Sequence, residues 1–338
     1  MRSKLSNVKW LWVIWLAAIP LLGWSLKSTP VEDIFRLLGR LHISQLLLLV
    51  GVNALVLLSI SVRWQVILLA MGVKLPLNKI LSYRLTSFGI SYFTPGPQFG
   101  GEPAQVAFLT RNHPVQSVSA VSSVYLDKLL ELLVNFLIIG GGMLLILNSG
   151  IQNAELNYTN ATPLLLLGLI PIAHLIALRI NCFPFKGMAQ GTGLLGSKVD
   201  WIKKAGRLLV EAEERIAEFL QKHPQSLYLA VAVSVFSWGM MILEYFLITR
   251  FLGLELTITQ VIFTFVLSRL AFLTPLPAGL GVLEASQVFA MQTIGLPAAS
   301  GLALSLWMRA RDVAIGLLGL GLGGWTVTRT ERSLQREV

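Results

Sequence analysis

A single cysteine, Cys182, occurs in 338 residues, which excludes an intrachain disulfide. The four histidines, His42, His113, His174 and His223, are scattered and have no metal-ligand spacing. Charge is scarce at 13% of residues, and the longest polar stretch, 179–224, is too short for an ordinary soluble domain. There is no Gly-x-Ser-x-Gly elbow, no Walker loop and no His-Glu-x-x-His. These absences argue against an enzyme, and against primary active transport by this chain alone. No cofactor and no metal are expected.

Apolar residues make up 54% of the chain and mean hydropathy is +0.70, the composition of an integral membrane protein. Residues 1–338 read as one membrane domain. The net charge of +10 need not mean nucleic acid. The basic residues fall between apolar runs, where a positive-inside bias puts them. Trp10–Leu26 reads as a retained signal anchor rather than a cleaved signal peptide, since no small-x-small site follows. Ile43–Val62, Val115–Asn148, Thr162–Leu178, Ser226–Thr249 and Ala298–Trp325 read as further spans, and residues 63–84 and 179–224 as cytoplasmic loops. Within 179–224, Val199, Ile202, Leu209, Ala212, Ile216 and Phe219–Leu220 recur at helical spacing. They predict an amphipathic helix lying on the membrane surface or on the protein.

Two stretches break the helical pattern in the same way. Thr94–Glu102 is TPGPQFGGE and Thr274–Glu284 is TPLPAGLGVLE. Each begins Thr-Pro-x-Pro, each has a glycine seven residues after the threonine (Gly101, Gly281), and each ends in a glutamate. The break residues are Pro95, Pro97, Gly100 and Gly101 in the first and Pro275, Pro277, Gly279 and Gly281 in the second. Asp127 lies 25 residues after Glu102, and Arg309 lies 25 after Glu284. Lipid offers no partner to freed backbone groups, so irregular backbone at membrane depth must face protein or a water-filled cavity. The flanking arms are short for a span and suit re-entrant hairpins. The expected fold is therefore all-α and polytopic, with about six full spans, two re-entrant broken-helix hairpins and an inverted-topology internal repeat. Half one covers about 43–148 and half two about 226–325. With both termini cytoplasmic, the outer segments hold only Lys27, Arg36, Arg40 and Arg250 among the Lys and Arg residues, and 149–162 holds none. The expected location is the cell (inner) membrane.

Glu102 and Glu284 each stand where a glycine-rich break passes into a helix. Such an acid complements the helix dipole, fixes a basic partner or binds the amine of a head group. Asp127, Lys128 and Glu131 share one helix, Arg309, Arg311 and Asp312 another, and Arg269 precedes the second break. Charges at membrane depth are costly and are normally paired or facing water. They form either a structural ion-pair network or a polar cavity in which Arg309, Arg269 and Lys128 hold a lipid phosphate. Gly140–Gly142, Gly316, Gly319, Gly321, Gly323 and Gly324 permit close helix packing.

Thr94–Arg111, Tyr125–Glu131, Pro277–Glu284 and Arg309 resemble the flippase-like membrane domain of the lysylphosphatidylglycerol synthase/flippase family. The resemblance extends over about residues 10–325. It implies that Glu102, Asp127, Lys128, Glu284 and Arg309 line a head-group pathway, and that the chain translocates lipid. Gln105 stands where many members have arginine, a departure that removes a basic contact. The soluble aminoacyl-transferase domain of bifunctional members has no counterpart here, so this chain is expected not to make lysyl-lipid. Expected partners are membrane lipids: an anionic or aminoacylated phospholipid or a lipid-linked sugar, and no nucleic acid. A membrane-bound transferase and a second copy of the chain stay open as protein partners. The leading expectation is a lipid flippase or scramblase-like transporter. The alternatives are a non-catalytic accessory subunit of a lipid- or glycan-modifying transferase, docking through 179–224, and an intramembrane enzyme that uses the acid pair.

Overall fold

The computed structural model describes residues 41–93, 100–148, 166–191, 200–274 and 279–334, together with Gly39, Thr162 and Leu276. The predicted span Trp10–Leu26 and the prolines Pro95, Pro97, Pro275 and Pro277 lie outside the described residues. Eleven helices are described, and there is no strand among them: α1 Ile43–Ala70, α2 Leu77–Phe93, α3 Glu102–Asn112, α4 Ser117–Asn148, α5 Leu169–Arg179, α6 Pro184–Gly191, α7 Asp200–Lys222, α8 Pro224–Phe251, α9 Ile258–Phe272, α10 Val282–Thr293 and α11 Ala298–Leu334. By length and apolarity α1, α4 and α8 can each cross a membrane, and α5 and α6 form a pair bent by 95°. Leucines and other large apolar side chains stand exposed along α1 and α8, such as Leu47, Val50, Val235 and Phe236, as lipid-facing surfaces require.

The first boundary differs from the sequence reading. A loop was expected from residue 63, but α1 continues to Ala70, and only residues 71–76 separate it from α2. Arg63 and Arg84 are thus inside helices and buried, not in a cytoplasmic loop. The cause is a partner distant in sequence, Asp127, which makes a buried guanidinium tolerable. Segment 179–224 carries helices α6 and α7 among its described residues. Its amphipathic helix α7 lies on the protein: Ile216, Phe219 and Leu220 pack against Leu126 and Leu130 of α4 and Leu178 of α5. Glu213, fully buried on α7, accepts the backbone N–H groups of Phe185 and Lys186 at the start of α6 (2.9 and 3.1 Å).

A set of four helices occurs twice. Ile43 and Pro224, Leu77 and Ile258, and Ser117 and Ala298, which begin matching helices, are each 181 residues apart. The stops match as well. α1 and α8 both end at a left-handed glycine, Gly72 (φ 84°) and Gly253 (φ 77°). The next residue bonds back to the same turn in each case: Val73 N to Leu68 O at 2.8 Å and Leu254 N to Thr249 O at 2.9 Å. This is the C-terminal stop that favours glycine.

Helices from the two sets pack antiparallel. Ser59 of α1 meets Ser237 of α8 (2.8 Å), and Arg63, further along α1, meets Ser234, further back on α8 (3.4 Å). α2 runs against α11, with Gly89 at Gly316 and Thr86 at Gly319, and the Thr86 hydroxyl donates to the Gly319 carbonyl at 3.0 Å. α4 crosses α9, where Gly142 admits Val266. Gly142, Gly316, Gly319 and Gly323 thus serve close packing, whereas Gly141 and Gly321 face open space.

Each break folds its two arms against each other. Tyr83 of α2 stacks on Phe108 of α3 with ring centroids 5.0 Å apart, and its hydroxyl lies 2.9 Å from Nε2 of His113 beyond the α3 end. In the second set Gln287 of α10 donates to the Thr264 carbonyl of α9 (3.1 Å) and accepts from the Tyr245 hydroxyl (2.6 Å). Both units are helical hairpins.

Candidate functional site

The charges at helix depth form three clusters. The first centres on Asp127 of α4, which is 1% exposed. Arg63 donates to it in a bidentate manner, Nε at 2.7 Å and the second nitrogen at 3.1 Å, and Arg84 of α2 donates at 2.5 Å. The planar guanidinium fork suits such a pair. One position along α4, Lys128 Nζ lies 3.3 Å from Glu102 and 3.0 Å from Glu131, and Glu131 also reaches Arg63 at 3.5 Å. Three bases and three acids thus neutralise one another. Arg84 additionally lies over the Trp64 ring at 5.4 Å.

The second cluster joins α8 and α11. Arg311 donates to Glu244 (2.7 Å) and to its neighbour Asp312 (2.8 Å), so one base serves two acids. Arg269 of α9 stands apart. Its guanidinium lies over Trp238 at 4.7 Å and near Phe272 at 5.6 Å, and no carboxylate comes within ion-pair distance among the described residues. Aromatic faces attract a cation but leave its N–H groups open.

The third cluster is Glu284 and Arg309 at the second break. Glu284 accepts the N–H of Gly281 (2.9 Å), whose φ is 79°, and so caps its own helix. Arg309 forms an ion pair with both carboxylate oxygens of Glu284 and donates to the Gly279 carbonyl at 3.3 Å. Together they fasten the break to α11.

The first two clusters and Arg269 line one cavity of 210 Å³, bounded by α1, α2, α3, α4, α8, α9 and α11. Its lining includes five bases (Arg63, Arg84, Lys128, Arg269, Arg311) and five acids (Glu102, Asp127, Glu131, Glu244, Asp312). Of the sequence-predicted site residues, Glu102, Asp127, Lys128, Glu131, Arg269, Arg311 and Asp312 meet here. Glu284 and Arg309 do not: they belong to the break, and the dipole-complementing reading describes Glu284 there. Gln105 lines the cavity as a neutral amide and is almost fully buried. The first hairpin contributes both arms to the wall, and the second contributes only α9. Gly100 and Gly101 lie at the first break, and Gly101 packs against α2: a Cβ on it would meet the Ser87 backbone.

Sequence reasoning missed Arg63, Arg84 and Glu244 as site residues. The available signal for Arg63 was the absence of any glycine or proline between Val62 and Gly72, which lets the helix run on.

An all-helical bundle with helices of membrane-crossing length and a charged interior cavity defines a polytopic membrane protein with a polar site at depth. Over residues 10–319 the chain matches the family described as the lysylphosphatidylglycerol synthase TM region, and it belongs to that family. No curated protein and no solved structure matches it.

Proposed function

We propose that this chain is a lipid flippase or scramblase-like transporter of the cell (inner) membrane. It passes a polar head group through the charged cavity while the acyl chains stay in the bilayer. The observation that carries this reading is the cavity itself: ten charged side chains around 210 Å³, enclosed by helices that are otherwise apolar. Such charges in a membrane segment mark a substrate or ion path. Family membership points the same way, toward lipid handling.

In this reading six full spans cross the membrane and the α2–α3 and α9–α10 hairpins are re-entrant, with both termini cytoplasmic. Equivalent helices α1 and α8 run antiparallel, which supports an inverted-topology repeat and alternating access by rocking one half on the other. The proposed role is transport without bond-making chemistry. A second reading, an accessory subunit that docks a membrane-bound transferase through 179–224, draws on the charged outer face of α7, where Lys204, Arg207, Glu211 and Glu214 are exposed.

The test is reconstitution in liposomes with fluorescent phospholipids, following access to an impermeant quencher. Wild type should move lipid, whereas Lys128→Gln and Glu131→Gln, folded by size-exclusion and melting criteria, should move it slowly. Wild type indistinguishable from empty liposomes over all lipid classes would overturn the transport reading in favour of the accessory one.

A further inference from the structure

Five buried side-chain atoms without a hydrogen-bond partner among the described residues belong to residues lining the cavity: Arg84 Nε, Glu102 Oε2, Glu244 Oε1, Arg269 Nε and Trp307 Nε1. Their distribution follows the two halves. The first half supplies one guanidinium N–H and one carboxylate oxygen. The second half supplies a guanidinium N–H, an indole N–H and one carboxylate oxygen. Each wall therefore holds one open cationic donor and one open anionic acceptor. Buried polar groups are rarely left unmet without a reason, and all five residues line one cavity.

The second wall is the more definite. Arg269 has aromatic rings beside it and no acid within ion-pair distance among the described residues. Glu244, only 3% exposed, gives one oxygen to Arg311 and keeps the other open. Arg311 is shared with Asp312, so this end of the cavity has one more acid than base. Arg269 restores neutrality from a distance. An anionic group suits Arg269 and the Trp307 N–H, and an ammonium suits Glu244.

The sum over the lining decides the net charge of the ligand. Five bases and five acids cancel. A ligand with net charge would add an uncompensated charge at membrane depth, where such charges are expensive. A dipolar ligand meets an open donor and an open acceptor and keeps the sum at zero. We propose that the cavity selects a zwitterionic head group, a phosphate diester bearing one ammonium, and that Arg269 and Glu244 are its specificity-determining residues. The inference rests on the transport reading for the attached lipid, whereas its head-group chemistry stands on the cavity alone.

The experiment has two arms. In liposomes, wild type is given fluorescent phosphatidylethanolamine, phosphatidylglycerol or an aminoacylated phosphatidylglycerol of net positive charge, with and without a potassium–valinomycin potential. In detergent, calorimetry compares glycerophosphoethanolamine with glycerol phosphate. The expected result is movement of phosphatidylethanolamine that is insensitive to the potential. Arg269→Gln and Glu244→Gln should each weaken binding of glycerophosphoethanolamine by about ten- to hundredfold, the worth of one charged hydrogen bond. Arg269→Lys should retain part of it. In Glu244→Gln, Arg311 keeps Asp312, and size-exclusion and melting criteria select folded protein before binding is compared. Faster movement of either charged lipid, or tighter binding of glycerol phosphate, overturns the inference and leaves transport standing. If no lipid moves but glycerophosphoethanolamine binds and Arg269→Gln abolishes it, the transport reading fails and the head-group inference holds. If wild type does not bind it, the inference fails.

Discussion

The α2–α11 seam is where a single methyl group should matter most. Gly319 faces the Leu85 carbonyl so closely that a Cβ there would fall well inside van der Waals contact with backbone, which cannot rotate away. Gly321, two residues on in the same helix, meets nothing within 4 Å. The same substitution at the two positions therefore has opposite expected signs. Alanine in a helix interior is favoured over glycine by about 0.5–1 kcal/mol. Gly321→Ala should gain that amount. Gly319→Ala gains it too, but overpacking a close contact costs about 1–3 kcal/mol, and the Thr86 bond to the Gly319 carbonyl lengthens as the helices part. The net loss is up to about 2.5 kcal/mol. The seam also sets the cavity, since α2 carries Arg84 and α11 carries Trp307, Arg311 and Asp312. Gly319→Ala should thus lose both stability and lipid movement. Equilibrium unfolding in mixed micelles, run beside the liposome assay, gives both readings. If the two alanine variants shift stability in the same direction, the close-contact argument is refuted.

Two other perturbations test the clusters. Arg63→Met leaves Asp127, 1% exposed, with Arg84 as its remaining base, and breaking a buried pair costs about 3–5 kcal/mol; micelle unfolding should show a loss of this size, and a loss below about 1 kcal/mol would contradict the pairing. At the base of the first hairpin, burial and then the nearby Lys79 charge hold His113 below its usual pKa, so protonation opposes the native contact with Tyr83. The stability contributed by the neutral imidazole is fully present above about pH 6.5, the usual imidazole value, and declines as pH falls below it. Hydrogen-exchange protection factors over α2 and α3, corrected for the intrinsic pH dependence of exchange, should fall on acidification in wild type and stay flat in His113→Gln.

Local signals in the chain were legible and long-range ones were not. Both breaks announce themselves through proline and glycine density, and α7 through a 3.6-residue apolar period in an otherwise polar segment. Glu102 could be nominated because it follows a glycine-rich break, and Lys128 because charge stands out within an apolar run. The partner of each charge could not be read. Arg63 finds Asp127 across 64 positions, and without that pairing a lone arginine near a loop reads as cytoplasmic. Glu284 and Arg309 looked like cavity residues because their motif copies the first break, yet in the second hairpin only α9 reaches the cavity wall. The repeat was visible in the breaks, whose Thr-Pro starts lie 180 residues apart, but its extension to whole helices was not, because matched positions carry different chemistry. Arg63 and Glu244 both sit 20 residues into their helices, and their charges are opposite.

The antiparallel pairing of α1 with α8 and of α2 with α11 has an electrical consequence. Every peptide unit in a helix contributes a dipole along the axis, and a long helix carries about half a unit charge at each end. When each helix lies beside a partner pointing the other way, the two macrodipoles oppose and largely cancel. The bundle then offers a membrane field little backbone dipole on which to act. With the cavity's side-chain charges summing to zero as well, the molecule's core is built to be nearly blind to voltage.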